Sequence, residues 1–296
     1  MAVLRHVVEG SGSAAITTWS AARTNLIRVF DHLLNQASVA PENIANVVLM
    51  LAGAGRSDDV ARVTESLTKD SPFAACRRIT VTSDIEPLLF EARDSLRDSP
   101  SMVVIAGTGS LVAALGTNEN VIRAGGWGPV LGDEGSGWGL AHAFLKAFCA
   151  WIDSGRDTEE VSEGLQLLTC FLAEKQLPSD PQKLNSAIIT LASDRHLAAQ
   201  LAPRILELAT HSNMNTTLQL VKQQIAFLAN QVQTVHSRLA IANREWRLCL
   251  AGGLASNDER FQNFLSAELT RRAIAPASIV VLDPLDAALR FAMKVA

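Results

Sequence analysis

The amino-acid sequence predicts an α/β fold, in which short buried strands are covered by helices, and three observations carry that expectation. Apolar, β-branched-rich runs recur at Val47–Ala52, Ile79–Thr82 and Met102–Ala106. Each ends in a glycine turn or an aspartate, and helix-spaced stretches separate them. Hydrophobic residues make up 48% of the 296 and charged residues only 19%, below the usual share of about 25%, so the chain has ample material for a core. Finally, ten of the 18 glycines lie between Gly107 and Gly139, a window of 33 residues. At roughly 100–200 residues per domain, the length allows about two domains.

Taken in order, residues 20–37 form a helical pattern, with Ala22, Leu26, Val29, Phe30, Leu33 and Leu34 on one face. Val47–Ala52 reads as a buried strand that runs into Gly53-Ala54-Gly55. A helix over 58–68, a strand at Ile79–Thr82 followed by Ser83-Asp84, and a helix over Glu86–Leu96 come next. Met102–Ala106 is a third buried strand and stops at Gly107. Leu111–Leu115 and Val121–Ala124 are strands flanking Gly-Thr-Asn-Glu-Asn, a sequence suited to a tight reversal. Residues 139–246 read as almost wholly helical. Within them Leu218, Val221, Ile225, Leu228, Val232, Val235 and Leu239 alternate spacings of three and four, which a coiled-coil seam or a long helix packed on its own domain would produce. The short run favours the packed helix. A strand at Trp246–Ala251, Gly252-Gly253, a helix over 257–272, a strand at Ser278–Leu282 and a helix at Asp286–Lys294 complete the chain.

Several function classes are excluded. The 26 basic and 30 acidic residues leave a formal charge of −4, against the basic excess of a dedicated nucleic-acid surface. The first residues lack the apolar run of a signal peptide, and no stretch approaches 18 consecutive apolar residues. The expectation is a cytoplasmic protein with no membrane partner. Cys76, Cys149, Cys170 and Cys249 include no close pair, so neither a disulfide scaffold nor a CxxC zinc site is present, and they read as small core residues. No metal site is assigned. The chain has no GxxxxGK[ST], no Rossmann GxGxxG, no HExxH and no GxSxG. His142 reads as a packed or surface residue.

The glycine window holds the chemistry. Gly107-Thr108-Gly109-Ser110 follows a buried strand. Glycine there lets backbone N–H groups approach an anion, and Thr and Ser add hydroxyls, although a plain tight turn is equally compatible. The stretch Gly125-Gly126-Trp127-Gly128-Pro129-Val130-Leu131-Gly132-Asp133-Glu134-Gly135-Ser136-Gly137 is more specific. Two adjacent carboxylates in an otherwise uncharged, glycine-rich loop at a helix start point to a ligand site, and carboxylates suit sugar hydroxyls or hydrated metal ions.

These two motifs together resemble the BadF/BadG/BcrA/BcrD-type ATPase family, whose best-known members are N-acetylglucosamine kinases of the actin-like, sugar-kinase and heat-shock ATPase superfamily. Weaker similarity covers most of the chain: Leu51–Gly55, Thr82-Ser83-Asp84, residues 250–257 and residues 284–292, where Asp286 stands at a usual glycine. The resemblance implies two RNase H-like domains flanking a cleft. One spans 1–103 and is completed by the C-terminal helix 284–296; the other spans 104–283 and carries the helical region 139–246. It further implies ATP with Mg²⁺ as cofactors, an amino sugar such as N-acetylglucosamine as substrate, and a homodimer. By position, Asp84 is similar to the carboxylate that takes the proton from the attacking sugar hydroxyl. Thr108 and Gly109 match the second phosphate loop, and Gly252, Gly253 and Ser256 the adenosine side. Trp19, Ser110, Gly126, Trp127, Gly128 and Asp133 match the sugar site.

The departures shape the expectation as much as the matches. The family's Asp-x-Gly-Gly-Thr phosphate loop, on an N-terminal β-hairpin, is missing from this sequence, and Gly10-Ser11-Gly12-Ser13 is a poor substitute. Thr17 and Leu111 stand where the family has asparagines. The first domain is thus expected to lack its N-terminal hairpin, either because the natural protein starts earlier or because kinase activity was lost. The expected function is an ATP-dependent amino-sugar kinase, weak or inactive as this chain. The alternatives are a non-catalytic sugar-binding or regulatory protein on the same fold, and an activator ATPase of a dehydratase or reductase.

Overall fold

A computed structural model of the chain describes residues 19–51, 54, 57–95, 99–155, 158–180, 183–211, 213–241 and 244–295. It divides into two compact units, one of residues 1–91 with 284–296, the other of 92–283. Gly10–Ser13, Thr17, Gly53 and Gly55 lie outside the described residues.

In the first unit, α1 (Trp19–Ala37) is followed by β1 (Val47–Leu51), α2 (Ser57–Thr68), β2 (Ile79–Ser83) and the start of α3 (Glu86–Ser95). The α1 face expected from spacing is the one that packs, with Ala22, Phe30 and Leu34 buried. Phe30 stacks on Phe73 at 4.3 Å between ring centroids. Arg23 on α1 donates from Nε to the Ser66 carbonyl at 3.0 Å and from Nη2 to that of Lys69 at 2.6 Å, satisfying carbonyls left open at the end of α2. β1 and β2 pair in parallel, Val47 opposite Ile79 through Leu51 opposite Ser83. Only Leu51 of β1 is fully buried, so β1 is a half-buried strand and not the buried one its apolar run suggested. The closing helix, Pro284–Val295, packs on this unit: Phe291 meets Phe90 edge-on at 5.8 Å, and Arg290 pairs with Glu91 at 2.7 Å.

The second unit is built on a five-stranded sheet. It contains β3 (Ser101–Ala106), β4 (Ser110–Leu115), β5 (Val121–Gly125), β6 (Arg247–Ala251) and β7 (Ser278–Val281), in the order β5-β4-β3-β6-β7. β3, β4 and β5 form an antiparallel meander, while β6 pairs parallel to β3 and β7 parallel to β6. The expected domain boundary between residues 103 and 104 would cut β3. That strand is hydrogen-bonded to β4 and β6 along its length, so all of it belongs to the second unit, and the division falls between Glu91 and Ala92, within α3. Met102, Val103, Val104 and Ala106 of β3 are wholly buried, the behaviour of a strand covered on both faces, whose sequence is therefore a continuous apolar run.

Between β5 and β6 lie α4 (Gly137–Asp153), α5 (Glu159–Glu174), α6 (Leu184–Ser193), α7 (Arg195–Ala199), α8 (Ala202–Leu208) and α9 (Asn215–Leu239). The three-and-four-spaced residues of α9 face inward. Val221, Ile225, Leu228, Val232 and Val235 are buried, and α9 packs on β4, β5 and α11 (Glu259–Arg271) of the same unit, as a packed helix rather than a coiled-coil seam. The short helix α10 (Gly253–Asn257) precedes α11, and the closing helix of the first unit is α12. The cysteines correct an expectation. Cys249 is buried in β6, but Cys76 and Cys149 are half-buried and Cys170 is exposed, because Cys170 falls on the outer face of α5.

Candidate functional site

β3 and β6 are parallel neighbours with Ile105 opposite Ala251. The residues that follow them, Gly107 and Gly252, therefore emerge side by side at the carboxyl ends of the strands, where α/β sheets take their ligands. The fit is close: a Cβ on Gly107 would lie 3.5 Å from the Gly253 nitrogen. Gly252 has φ +92°, a conformation that L side chains rarely adopt. The sheet register thus joins two glycine turns far apart in sequence. Ser256 sits one turn into α10, its N–H bonded to the Gly252 carbonyl at 2.8 Å. Its Oγ is buried with no hydrogen-bond partner among the described residues.

The turn 107–110 is also tied to the start of α4. The Gly137 N–H donates to the Gly107 carbonyl at 2.7 Å, and the Trp138 N–H to that of Thr108 at 3.3 Å. Ser136 caps α4, its hydroxyl accepting from the Gly139 N–H at 3.1 Å and donating to the Asp133 carbonyl at 2.6 Å. These bonds hold the acidic loop against the turn.

Asp133 is 3% exposed and has a left-handed backbone, φ +67°. Its Oδ1 accepts the Ser110 N–H at 3.0 Å, and its Oδ2 lies 2.5 Å from Arg195 Nη2. A buried carboxylate without such partners would be costly. Ser110, 3% exposed, donates its hydroxyl to the Glu134 carbonyl at 2.8 Å, so its oxygen offers acceptor capacity only. Gly126 donates to the Ser110 carbonyl at 3.1 Å. Trp127 is 65% exposed, and nothing lies near a Cβ built on Gly128. The structure therefore brings together Thr108, Gly109, Ser110, Asp133, Gly252 and Gly253. Asp84 belongs to the first unit, exposed in the turn between β2 and α3. Trp19 opens α1, and its side chain lies outside what is described.

Arg195 and His196 are the residues that sequence reasoning missed. Asp194 caps α7, accepting from the Leu197 N–H at 3.0 Å. That cap sets the two following side chains against the glycine turn: Arg195 on Asp133, and His196 with Nδ1 3.2 Å from Thr108 Oγ1. No local signal in the helical stretch 139–246 marks them. His142, read as packed or surface, is exposed and stacks on Trp138 at 5.0 Å. Partial desolvation of its ring, followed by nearby Lys146, lowers its pKa. Among the described residues no three His, Cys, Asp or Glu side chains gather as a metal cage, and no helix is long and apolar enough to cross a membrane.

Known proteins resemble this chain in sequence and in fold. The model of the BadF/BadG/BcrA/BcrD ATPase family matches residues 3–283. An N-acetylmuramic acid/N-acetylglucosamine kinase of Clostridium acetobutylicum is 24% identical over 268 residues, covering 89% of this chain and 83% of that protein. An N-acetyl-D-glucosamine kinase of Dictyostelium discoideum is 27% identical over 171 residues, covering 57% of this chain and 51% of its own length. Among solved structures, a candidate N-acetylglucosamine kinase from Chromobacterium violaceum superposes with a TM-score of 0.65 at 20% identity, covering 95% of this chain and 87% of the other. One from Porphyromonas gingivalis gives 0.62, also at 20%, covering 92% and 86%. The two structures share the fold.

Proposed function

Because the chain belongs to the BadF/BadG/BcrA/BcrD ATPase family, we propose that it is an ATP-dependent kinase of an amino sugar, with N-acetylglucosamine as the leading substrate. One observation supports this above the others: a buried carboxylate, Asp133, is hydrogen-bonded to the same turn, 107–110, that abuts the Gly252-Gly253 turn. A glycine-lined surface for phosphates and an acceptor for sugar hydroxyls thereby share one wall. The kinases named above, from Clostridium acetobutylicum and Dictyostelium discoideum, support the sugar class. The finer parts of the reading, two RNase H-like domains with the first lacking its hairpin and a cytoplasmic homodimer, come from the resemblance.

The glycine turns fit a nucleotide, since they present backbone without Cβ atoms and nothing lies within 4 Å of a Cβ built on Gly253. Thr108, Gly109, Gly252, Gly253 and Ser256 would hold it. ATP supplies the transferable phosphoryl group, and Mg²⁺ normally rides on its phosphates. The chain's own work is positioning. Asp133 accepts hydroxyl hydrogens from the sugar, and Ser110 orients Asp133 through its N–H. Asp84 accepts the proton of the attacking hydroxyl, which requires a carboxylate within hydrogen-bond reach of that oxygen. The second reading, a sugar-binding protein without catalysis, is favoured by one feature: residues 1–296 contain no Asp-x-Gly-Gly-Thr.

Calorimetric titration with N-acetylglucosamine, glucosamine and glucose, with and without Mg-ATP, is the test. Binding of an amino sugar supports the site, and phosphorylated product separates the kinase from the binder. Failure to bind any of the three sugars sinks both readings.

A further inference from the structure

We propose that Arg195 is a specificity-determining residue of the sugar site, neutralising Asp133 so that the site favours amino sugars whose nitrogen is acylated and uncharged over those carrying a free ammonium. This rests on the reading of Asp133 as the sugar-side carboxylate.

Asp133 cannot easily turn away from its place. Its backbone is in the left-handed region, its carbonyl is held by Ser136, and its side chain is 96% buried. A carboxylate fixed in this way and left alone would attract a substrate ammonium strongly, because the surrounding low dielectric amplifies charge. Arg195 Nη2 instead lies 2.5 Å from Oδ2, and an incoming ammonium meets attraction and repulsion of similar size. The pair sits directly over the turn: a Cβ on Gly109 would fall 2.5 Å from Arg195 Nη2 and 2.8 Å from Asp133 Oδ1. The guanidinium is therefore at the site's wall and not at its periphery. Arg195 Nε is buried with no hydrogen-bond partner among the described residues. Guanidinium and ammonium are both donors only, whereas the carbonyl of an acyl group is an acceptor. A neutral acylamino sugar matches the donor that Arg195 offers, and a protonated amine does not.

Calorimetry at pH 6, where a primary amine is charged, tests this with N-acetylglucosamine and glucosamine on wild type, Arg195→Gln and Arg195→Lys. The ratio of the glucosamine Kd to the N-acetylglucosamine Kd should fall about tenfold in Arg195→Gln, because the carboxylate is then unopposed. Arg195→Lys keeps the charge and should keep the ratio. A general loss of structure would weaken both sugars together and leave the ratio alone. A ratio within twofold of wild type in Arg195→Gln, or an equal fall in Arg195→Lys, overturns the inference. If Arg195→Gln does not fold, wild type decides. Glucosamine should bind more tightly as pH rises from 6 to 9 and its amine loses the proton, while N-acetylglucosamine should not; tighter binding of the ammonium form overturns the inference. Wild type that binds N-acetylglucosamine but shows none of this pattern refutes the role of Arg195 alone. Wild type that binds no amino sugar refutes the functional reading and this inference with it.

Discussion

A Cβ on Gly252 would lie 2.7 Å from the carbonyl oxygen of Ala106, the last residue of the neighbouring strand. No real Cβ comes so near a backbone atom, and the φ of +92° at Gly252 already disfavours any L side chain. Gly252→Ala is therefore expected to cost about 2 kcal/mol or more, from strain and overpacking together. It should also push the two strand-end turns apart, so Mg-ATP affinity should fall further than sugar affinity. Calorimetric melting and nucleotide titration check this, and an unchanged Tm would refute the geometry.

The proton-accepting role proposed for Asp84 comes from the resemblance of Thr82-Ser83-Asp84 to the family's strand-end aspartate, and the residue stands in the turn between β2 and α3. Asp84→Asn keeps the shape of the side chain and removes the base. In a preparation that turns over, kcat should drop by a factor on the order of 10²–10⁴ while Mg-ATP still binds. Single-turnover kinetics with labelled ATP measure it, and a kcat near wild type would assign the base elsewhere.

Asp133→Ala removes the acceptor for the Ser110 N–H and the partner of Arg195. Each orphaned buried donor costs about 1–3 kcal/mol. The melting temperature should fall, and sugar affinity should fall by at least tenfold with nucleotide affinity largely kept. Equal losses for both ligands would show that Asp133 acts only as a structural post.

Hydrogen bonds from Arg271 at 2.8 and 2.7 Å, joined by one from Arg272 at 2.7 Å, hold Glu268 down to about 2 from an ordinary 4.5, against the opposing cost of burial. A folded pKa below the unfolded one contributes stability that is complete above about 4.5 and lost as pH falls toward 2. Arg271 is 68% exposed, so solvent and salt reduce its share. Wild type should be more stable than Glu268→Gln at pH 6, and the gap should close between pH 4.5 and 2. Urea titrations at several pH values read this; a gap independent of pH would rule the ion cluster out as its source.

Much of the fold was legible because its strands and helices carry local signals. The apolar runs at 102–106 and 246–251 are strands since both faces of β3 and β6 are covered, and the spacing in α9 is a face buried on its own sheet. Boundaries and burial were less legible. The limit of the second unit depends on which strands β3 pairs with, and the half-exposure of β1 depends on what packs over it; neither is encoded within those segments. Four glycines of the window, Gly125, Gly126, Gly128 and Gly135, take positive φ, as a tightly folded loop requires.

What the sequence determined by itself is the chemistry present: a strand-end Gly107-Thr108-Gly109-Ser110 turn, a carboxylate at 133, a second glycine pair at 252–253, and through them the family. What only the tertiary structure decided is which groups meet. The parallel register of β3 and β6 sets the two glycine turns side by side, and the cap at Asp194 sets Arg195 onto Asp133 and His196 onto Thr108. Those contacts join residues from distant segments, and their energy comes from close packing and buried charge. Both depend on distances in space, which no local pattern of residues records.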